Sequence, residues 1–378
     1  EYNLTLTLLM TKQRLHYFDM LKGIAIFMVV MGHVLTMCVR DIDRALVFKF
    51  IGEIHMPLFF FISGWFTLKV LPGGMLKRPD LRQRSLQLLV PMVVVSSLWI
   101  WYFPHSGLQS PLVSTFDCLW SNVWKNGYWF TLVLFEIMLV YSLVAPLLSR
   151  MRSVVAELGV IAAVWAVMLT VQCTVPAEVL DYGSLPLAFQ FWPVFAVGAM
   201  AARHRDSFAA VTASGTWVTA ATLIAAVLIY FICWSWEFPA LTDENGLTMS
   251  IARSLFHICI SIVGIAVVKP WSEAAFAPTA SALTRGIADL WQLLGRKSLS
   301  IYLLHYFFLF PLWPCRQALI DLGLGFTPLV VFAAVVASAV VAVTLGANAV
   351  IERSPLLALL LTGAVPKRAK DVTINKNV

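Results

Sequence analysis

Apolar runs of about 20 residues, each long enough to cross the hydrocarbon core of a bilayer, follow one another from Tyr17 to Leu361 with few breaks. Nothing else in the chain constrains its fold as strongly. Inside lipid every backbone N–H and C=O must find a partner within the protein, and single apolar runs achieve this as helices. The runs fall near 17–39, 46–69, 85–103, 127–148, 154–173, 184–202, 213–235, 249–269, 294–313 and 326–350. The expected fold is all-α, a polytopic transmembrane helical bundle with about ten spans. Residues 1–16 read as an N-terminal segment, 17–361 as the transmembrane domain and 362–378 as a tail. The mixed, polar stretch 270–297 reads as the longest loop, with room for a short amphipathic helix. No internal repeat is visible.

Charge supplies the orientation. Only 12% of the residues are charged, against about 25% in a soluble domain, so no large soluble domain fits. The net charge of +7 points to positive-inside topology rather than to nucleic acid. Most lysines and arginines fall on one side of the expected spans, among them Lys69, Lys77, Arg78, Arg82, Arg84, Arg203, Arg205, Lys297 and Lys367. That bias predicts both termini in the cytoplasm; the expected location of the protein is a bacterial plasma (inner) membrane. The apolar start LTLTLLM is short and no small-residue cleavage site follows it, so the first span is expected to remain as an anchor. Cys38, Cys118, Cys173, Cys233, Cys259 and Cys315 then lie toward the outer side. Their spacing is not that of a metal site. They stand either as buried thiols or as disulfides in an oxidising compartment. Nothing in the sequence sets the oligomeric state.

The first span carries the sharpest chemical signal. Lys22 to His33 reads KGIAIFMVVMGH, and eleven residues return a helix to within about 20° of its starting face, roughly 16 Å further along. A lysine and a histidine thus share one stripe of a membrane helix, with Asp19 close to it. Ionisable groups at such depth are costly and usually functional. The competing view is a snorkelling lysine and a histidine satisfied by a neighbouring helix. Folding the first two spans about residue 43 sets His33 level with Glu53 or His55, and Lys22 level with Ser63 and Gly64. A histidine beside a carboxylate is the minimum for an oriented general base, and His33 and His55 can alternatively divide base and acid roles. Pro57 and Gly64 are expected to kink or thin the second helix, either for a ligand or as a packing notch.

Further polar residues sit at matching depths. Glu136 lies about 10 Å deeper than Trp129 by helical rise. Tyr302 and His305 share a face at i,i+3. The run KRPDLRQRSLQLLVP at 77–91 sets Arg82 and Arg84 beside the third span. Guanidinium forks suit phosphate oxygens, although such clusters also act as topology determinants or contacts to anionic lipid. Tryptophans near the outer boundary fit an aromatic belt.

These residues together resemble the integral-membrane acyltransferase 3 family, in particular its fucose 4-O-acetylase-like branch. The resemblance covers about residues 14–360. It rests on Lys22 and His33 as a basic-x10-His signature and on HMPLFFFISG at His55–Gly64. The arginine-rich run ending at Pro91, YWF at Tyr128–Phe130, SLSIYLLH at Ser298–His305 and ERSP at Glu352–Pro355 corroborate it. Many members carry arginine at the Lys22 position, so a pocket tuned to that forked side chain is expected to differ here.

The resemblance implies transfer of an acyl group, most often acetyl, from acyl-CoA to a hydroxyl of a cell-surface or exported carbohydrate. Acetyl-CoA is then a co-substrate, and no permanently bound cofactor or metal is expected. In this scheme Arg82 and Arg84 hold the CoA phosphates, with Lys22 and Ser63 nearer the thioester. His33 takes the proton of the attacking hydroxyl. Glu136 or Glu53 orients it, and Ser63 and Tyr302 stabilise the developing oxyanion. His55 shares the acid–base work, and Asp19, Tyr302, His305 and Trp129 support the site. The alternative is a transporter of a small anion or glycan precursor, since buried His, Glu and Lys also mark transport pathways. Transport predicts inverted-repeat symmetry, which this sequence does not display.

Overall fold

The computed structural model describes residues 15–38, 46–71, 74–102, 120–213, 217–230, 247–309, 321 and 326–365. Its helices, in chain order, are α1 (His16–Cys38), α2 (Leu46–Thr67), α3 (Leu81–Tyr102), α4 (Trp129–Arg150), α5 (Val154–Thr174), α6 (Ala177–Asp181), α7 (Leu185–Arg203), α8 (Arg205–Ala213) and α9 (Trp217–Tyr230). There follow α10 (Leu247–Ala275), α11 (Ala282–Arg296), α12 (Ser298–Leu304), α13 (Tyr306–Leu309), α14 (Phe326–Ile351) and α15 (Pro355–Thr362). A single 3-10 turn, Lys125–Gly127, precedes α4. Among the described residues the only β pairing is a lone bridge between Val70 and Leu76. The protein is an all-α polytopic membrane protein.

Seven described helices are long and apolar enough to cross a membrane: those beginning at His16, Leu81, Trp129, Val154, Leu185, Leu247 and Thr327. The second expected span is the 22-residue α2, which carries Glu53 and Pro57 in its interior. Of the run 213–235, the described helix is the 14-residue α9. The turn near 40–45 and the tail from 366 onward lie outside the described residues, as do Cys118, Cys233 and Cys315. Cys173 and Cys259 are free thiols.

Two stretches depart from the sequence expectation. The stretch 270–297, read as the longest loop, is mostly helix: α10 continues through Pro270 to Ala275, and α11, Ala282–Arg296, is the short amphipathic helix for which the sequence left room. Ser281 caps α11 by accepting from the Thr284 N–H at 3.1 Å, as serine commonly does at a helix start. Residues 294–309, expected within one straight span, form three pieces that break at Lys297 and His305. At the second break His305 Nδ1 lies 2.9 Å from the Ile301 carbonyl and 2.8 Å from that of Tyr302. The imidazole there adds a side-chain donor to the end of the turn, beside the His305 backbone N–H that reaches the Ile301 carbonyl at 3.0 Å.

Glycines fix how the central helices meet. A Cβ on Gly23 of α1 would run into the Trp291 carbonyl of α11, and one on Gly295 of α11 into the Asp19 carbonyl. The same reciprocal contact joins α2 to α7: Gly64 meets the Phe195 carbonyl and Gly198 that of Phe61. Backbones in contact are the expected packing of membrane helices, where small residues replace the hydrophobic drive that water supplies. Gly64 is therefore a packing notch, and the α7 backbone fills the space it leaves. Phe18, Phe60, Phe61, Phe195 and Trp192 are fully buried around these crossings.

Candidate active site

A cavity of about 800 Å³ opens between α1, α2 and α10, closed on one side by the 3-10 turn and the start of α4. Of the residues singled out from sequence, His33, Glu53, His55, Trp129 and Tyr302 line it. The hairpin geometry thus brings His33, Glu53 and His55 to one place. Proline cannot donate a backbone hydrogen bond, so Pro57 leaves the Glu53 carbonyl without its usual helical donor. The turn so loosened carries both polar side chains.

The hydrogen bonds fix which nitrogen of each histidine holds its proton, because a carbonyl can only accept. His305, fully buried, directs Nδ1 at the Ile301 and Tyr302 carbonyls, so Nδ1 is its donor. Its Nε2 is then an acceptor, and His33 donates from Nδ1 across 2.8 Å. The two rings are nearly parallel, 6° apart. His33 Nε2 is left as a lone pair, and the Tyr306 hydroxyl donates to it at 3.1 Å. Gly127, at φ +94°, makes room for that phenol, since a Cβ there would strike it. His55 follows the same logic. Its Nδ1 lies 2.7 Å from the Ile51 carbonyl, so Nε2 is the unprotonated nitrogen. Two imidazoles on adjacent helices therefore line one cavity, each with an Nε2 lone pair.

Several expected roles change. Glu53 does not hold His33. Its Oε2 accepts from His257 Nε2 at 2.6 Å, and Arg253 Nε stands 3.4 Å from Oε1. Glu136 is not among the residues lining the cavity. It sits beside Gly183, and its buried Oε2 has no hydrogen-bond partner among the described residues. The group that orients His33 is His305. Tyr302 makes a poor oxyanion donor, because its hydroxyl already donates to the Gly127 carbonyl at 2.8 Å while accepting from the Phe130 N–H at 3.1 Å. Ser63 is half-buried and lies outside the cavity; its carbonyl accepts from the Thr67 hydroxyl at 2.7 Å.

The basic residues expected to meet a charged substrate lie at the other end of the bundle. Lys22 pairs with Asp19 at 2.8 Å and stands 5.9 Å from the Phe66 ring centre. Both therefore lie about 16 Å or more down α1 from His33. Arg84 donates to Gln87 at 3.1 Å and Arg82 is exposed, both in the first turn of α3. Arg78 precedes that helix, so it shares no helical face with Arg82. At this end Lys297 grips both Glu352 oxygens at 2.6 and 2.7 Å. That ammonium holds the Glu352 carboxyl below its ordinary value.

Tyr306, Arg253 and His257 escaped the sequence reading as site residues, and Trp124 was legible only as one of the tryptophans near the outer boundary. Arg253 and His257, four apart in an otherwise apolar run, carried a signal that could have been read: they share a helix face. Tyr306 gave none beyond following His305.

A cavity lined by His33 and His55 thus lies near one end of a bundle of membrane-length helices, and Lys22, Arg82, Arg84 and Lys297 lie toward the other. The chain belongs to the acyltransferase 3 family, whose model, an acyltransferase domain, matches residues 15–347. Nodulation protein NolL of Sinorhizobium fredii is 28% identical over 186 residues, covering 46% of this chain and 48% of that protein. Nodulation protein NolL of Mesorhizobium japonicum is 29% identical over 230 residues, covering 58% and 56%. The chain spans about half the length of these curated relatives. No solved structure matches it.

Proposed function

We propose that this protein is a membrane O-acyltransferase that moves an acyl group, most often acetyl, from acyl-CoA to a hydroxyl of a cell-surface or exported carbohydrate. The observation that carries the reading is the His33 Nε2 lone pair at the wall of a cavity of about 800 Å³, its tautomer set by His305. An imidazole so held accepts a proton at Nε2 and keeps its other N–H engaged. The acceptor hydroxyl replaces Tyr306 on that lone pair. Its oxygen attacks the thioester carbonyl as its proton passes to His33, the C–S bond breaks, and the thiolate of CoA leaves with that proton. The products are an O-acyl ester and free CoA.

Family membership supports acyl transfer as the reaction class. The charge distribution supports a donor entering from the cytoplasmic side, with Lys22, Arg82 and Arg84 as the cations that meet CoA phosphates. His55 is the second acid–base group. The test supplies the purified protein in lipid nanodiscs with acetyl-labelled CoA and candidate glycans. Label appearing on the glycan with an equal release of free CoA is the expected result. Glycan crossing the membrane of proteoliposomes unmodified, with no CoA released, would mean transport instead.

A further inference from the structure

The turn that closes one side of the cavity is held in an unfavourable conformation. Lys125 has φ +46° and Gly127 φ +94°, both in the left-handed region, which a lysine enters only at a cost. Lys125 is also fully buried. Its ammonium carries three donors, and it meets three backbone carbonyls: Asp181 at 2.6 Å, Asn122 at 2.8 Å and Trp120 at 3.3 Å. Among the described residues it forms no ion pair; Asp181 and Glu136 attract it from beyond that distance. Two of the three carbonyls belong to the turn and the third ends α6, so the cation ties one to the other. Ser184, at φ +56°, adds a second tie by donating its hydroxyl to the Val123 carbonyl at 2.7 Å.

What the turn supports on its other side is the surroundings of His33. The Gly127 carbonyl accepts from Tyr302 at 2.8 Å. Tyr306 fills the space left by the missing Cβ of Gly127 while donating to His33 Nε2 at 3.1 Å. Resting on the acyl-transfer reading, we infer that Lys125 is a positioning residue for the reaction: its ammonium fixes the turn 120–127 against α6, and through Gly127 it seats Tyr306 and steadies the ring of His33. Lys125 does not line the cavity and touches no reacting atom. It acts through the placement of others, and a misplacement of about 1 Å can cost a reaction on the order of 100-fold. A compact ammonium with three rotatable donors suits three carbonyls arriving from different directions. Methionine has a similar reach and would leave all three without that donor. Arginine keeps the charge but spreads its donors in one plane.

The experiment follows two readouts of the full chain in nanodiscs. One is the Tyr306 resonance of protein isotope-labelled at the tyrosine Cζ, identified by its absence in Tyr306→Phe. The other is steady-state acetyl transfer from acetyl-CoA to a panel of neutral methyl hexosides. Lys125→Met is expected to move the Tyr306 resonance and to lower kcat about tenfold with the acetyl-CoA KM unchanged. Lys125→Arg should regain part of both. Ser184→Ala removes only the second tie and should shift both readouts less; it carries the test should Lys125→Met fail to fold. Glu157, held by Arg203 at 3.1 Å and His204 at 2.9 Å near the opposite end of α4, supplies the control. Glu157→Gln should lower the melting temperature and leave both readouts in place. An unmoved Tyr306 resonance or an unchanged kcat in the folded variants of the turn would overturn the inference, as would an equal fall in kcat in Glu157→Gln. Intact acetyl-CoA in every mixture would sink the acyl-transfer reading, and the Tyr306 resonance would then decide alone whether Lys125 seats that phenol.

Discussion

The two ends of α1 treat polar groups in opposite ways. Around His33 they answer one another: His33 to His305 and Tyr306, Glu53 to His257 and Arg253, and Tyr302 to Gly127 and Phe130. His257 and His305 are almost wholly buried. Around Lys22 the charges are more accessible, with 24% of the lysine side chain and 39% of that of Glu352 exposed, although Asp19 itself is buried. A hydrogen bond in a low-dielectric interior is strong, and an unmet partner there is expensive. A solvated pair is cheap to make and cheap to lose. The first arrangement holds atoms in fixed positions, and the second leaves cations available to something mobile. Chemistry at one end and capture of a charged substrate at the other is what that division suits.

Substitutions that break the contrast should cost most where the network is buried. His305→Ala strands the His33 Nδ1–H and opens a void. A loss of about 3 kcal/mol in stability is expected, read as a lower melting temperature in nanodiscs, with transfer falling as well; His305→Gln keeps an acceptor and should recover part of both. Glu53→Gln removes the charge facing Arg253 while keeping hydrogen-bonding capacity, and about 1.5 kcal/mol is expected. Lys22→Ala should leave the melt within about 1 kcal/mol of the parent yet raise the KM for acetyl-CoA. A large stability loss there would erase the contrast between the two ends.

The smallest effect is set by pH. Lys297 holds the Glu352 carboxyl below its ordinary value of 4.5, so the pair contributes above that value. The contribution is lost as pH falls through the lowered value in the folded protein. With the carboxylate this exposed, screening keeps the effect under about 0.5 kcal/mol. It should show as a slight drop in melting temperature below pH 4.5 that Glu352→Gln abolishes.

How much of this was legible in the sequence follows the same physics. The helices could be read because lipid leaves the backbone no alternative. The meeting of His33 with Glu53 and His55 followed from hairpin arithmetic over neighbouring spans. The partner of His33 did not, since His305 and Tyr306 lie 272 and 273 residues away and no local rule sets that pairing. Glu136 has a depth that suits catalysis, but depth alone does not choose a neighbour. The break between α12 and α13 at His305 was hidden too, because the apolar run around it reads as one span.

The most direct measurement is single-turnover acetyl transfer by His33→Ala in nanodiscs, with labelled acetyl-CoA and an accepted glycan, beside a melt of the same sample. A folded variant slowed by at least about 100-fold is the predicted result. A folded variant that transfers at close to the parent rate would remove His33 from the chemistry and contradict the account.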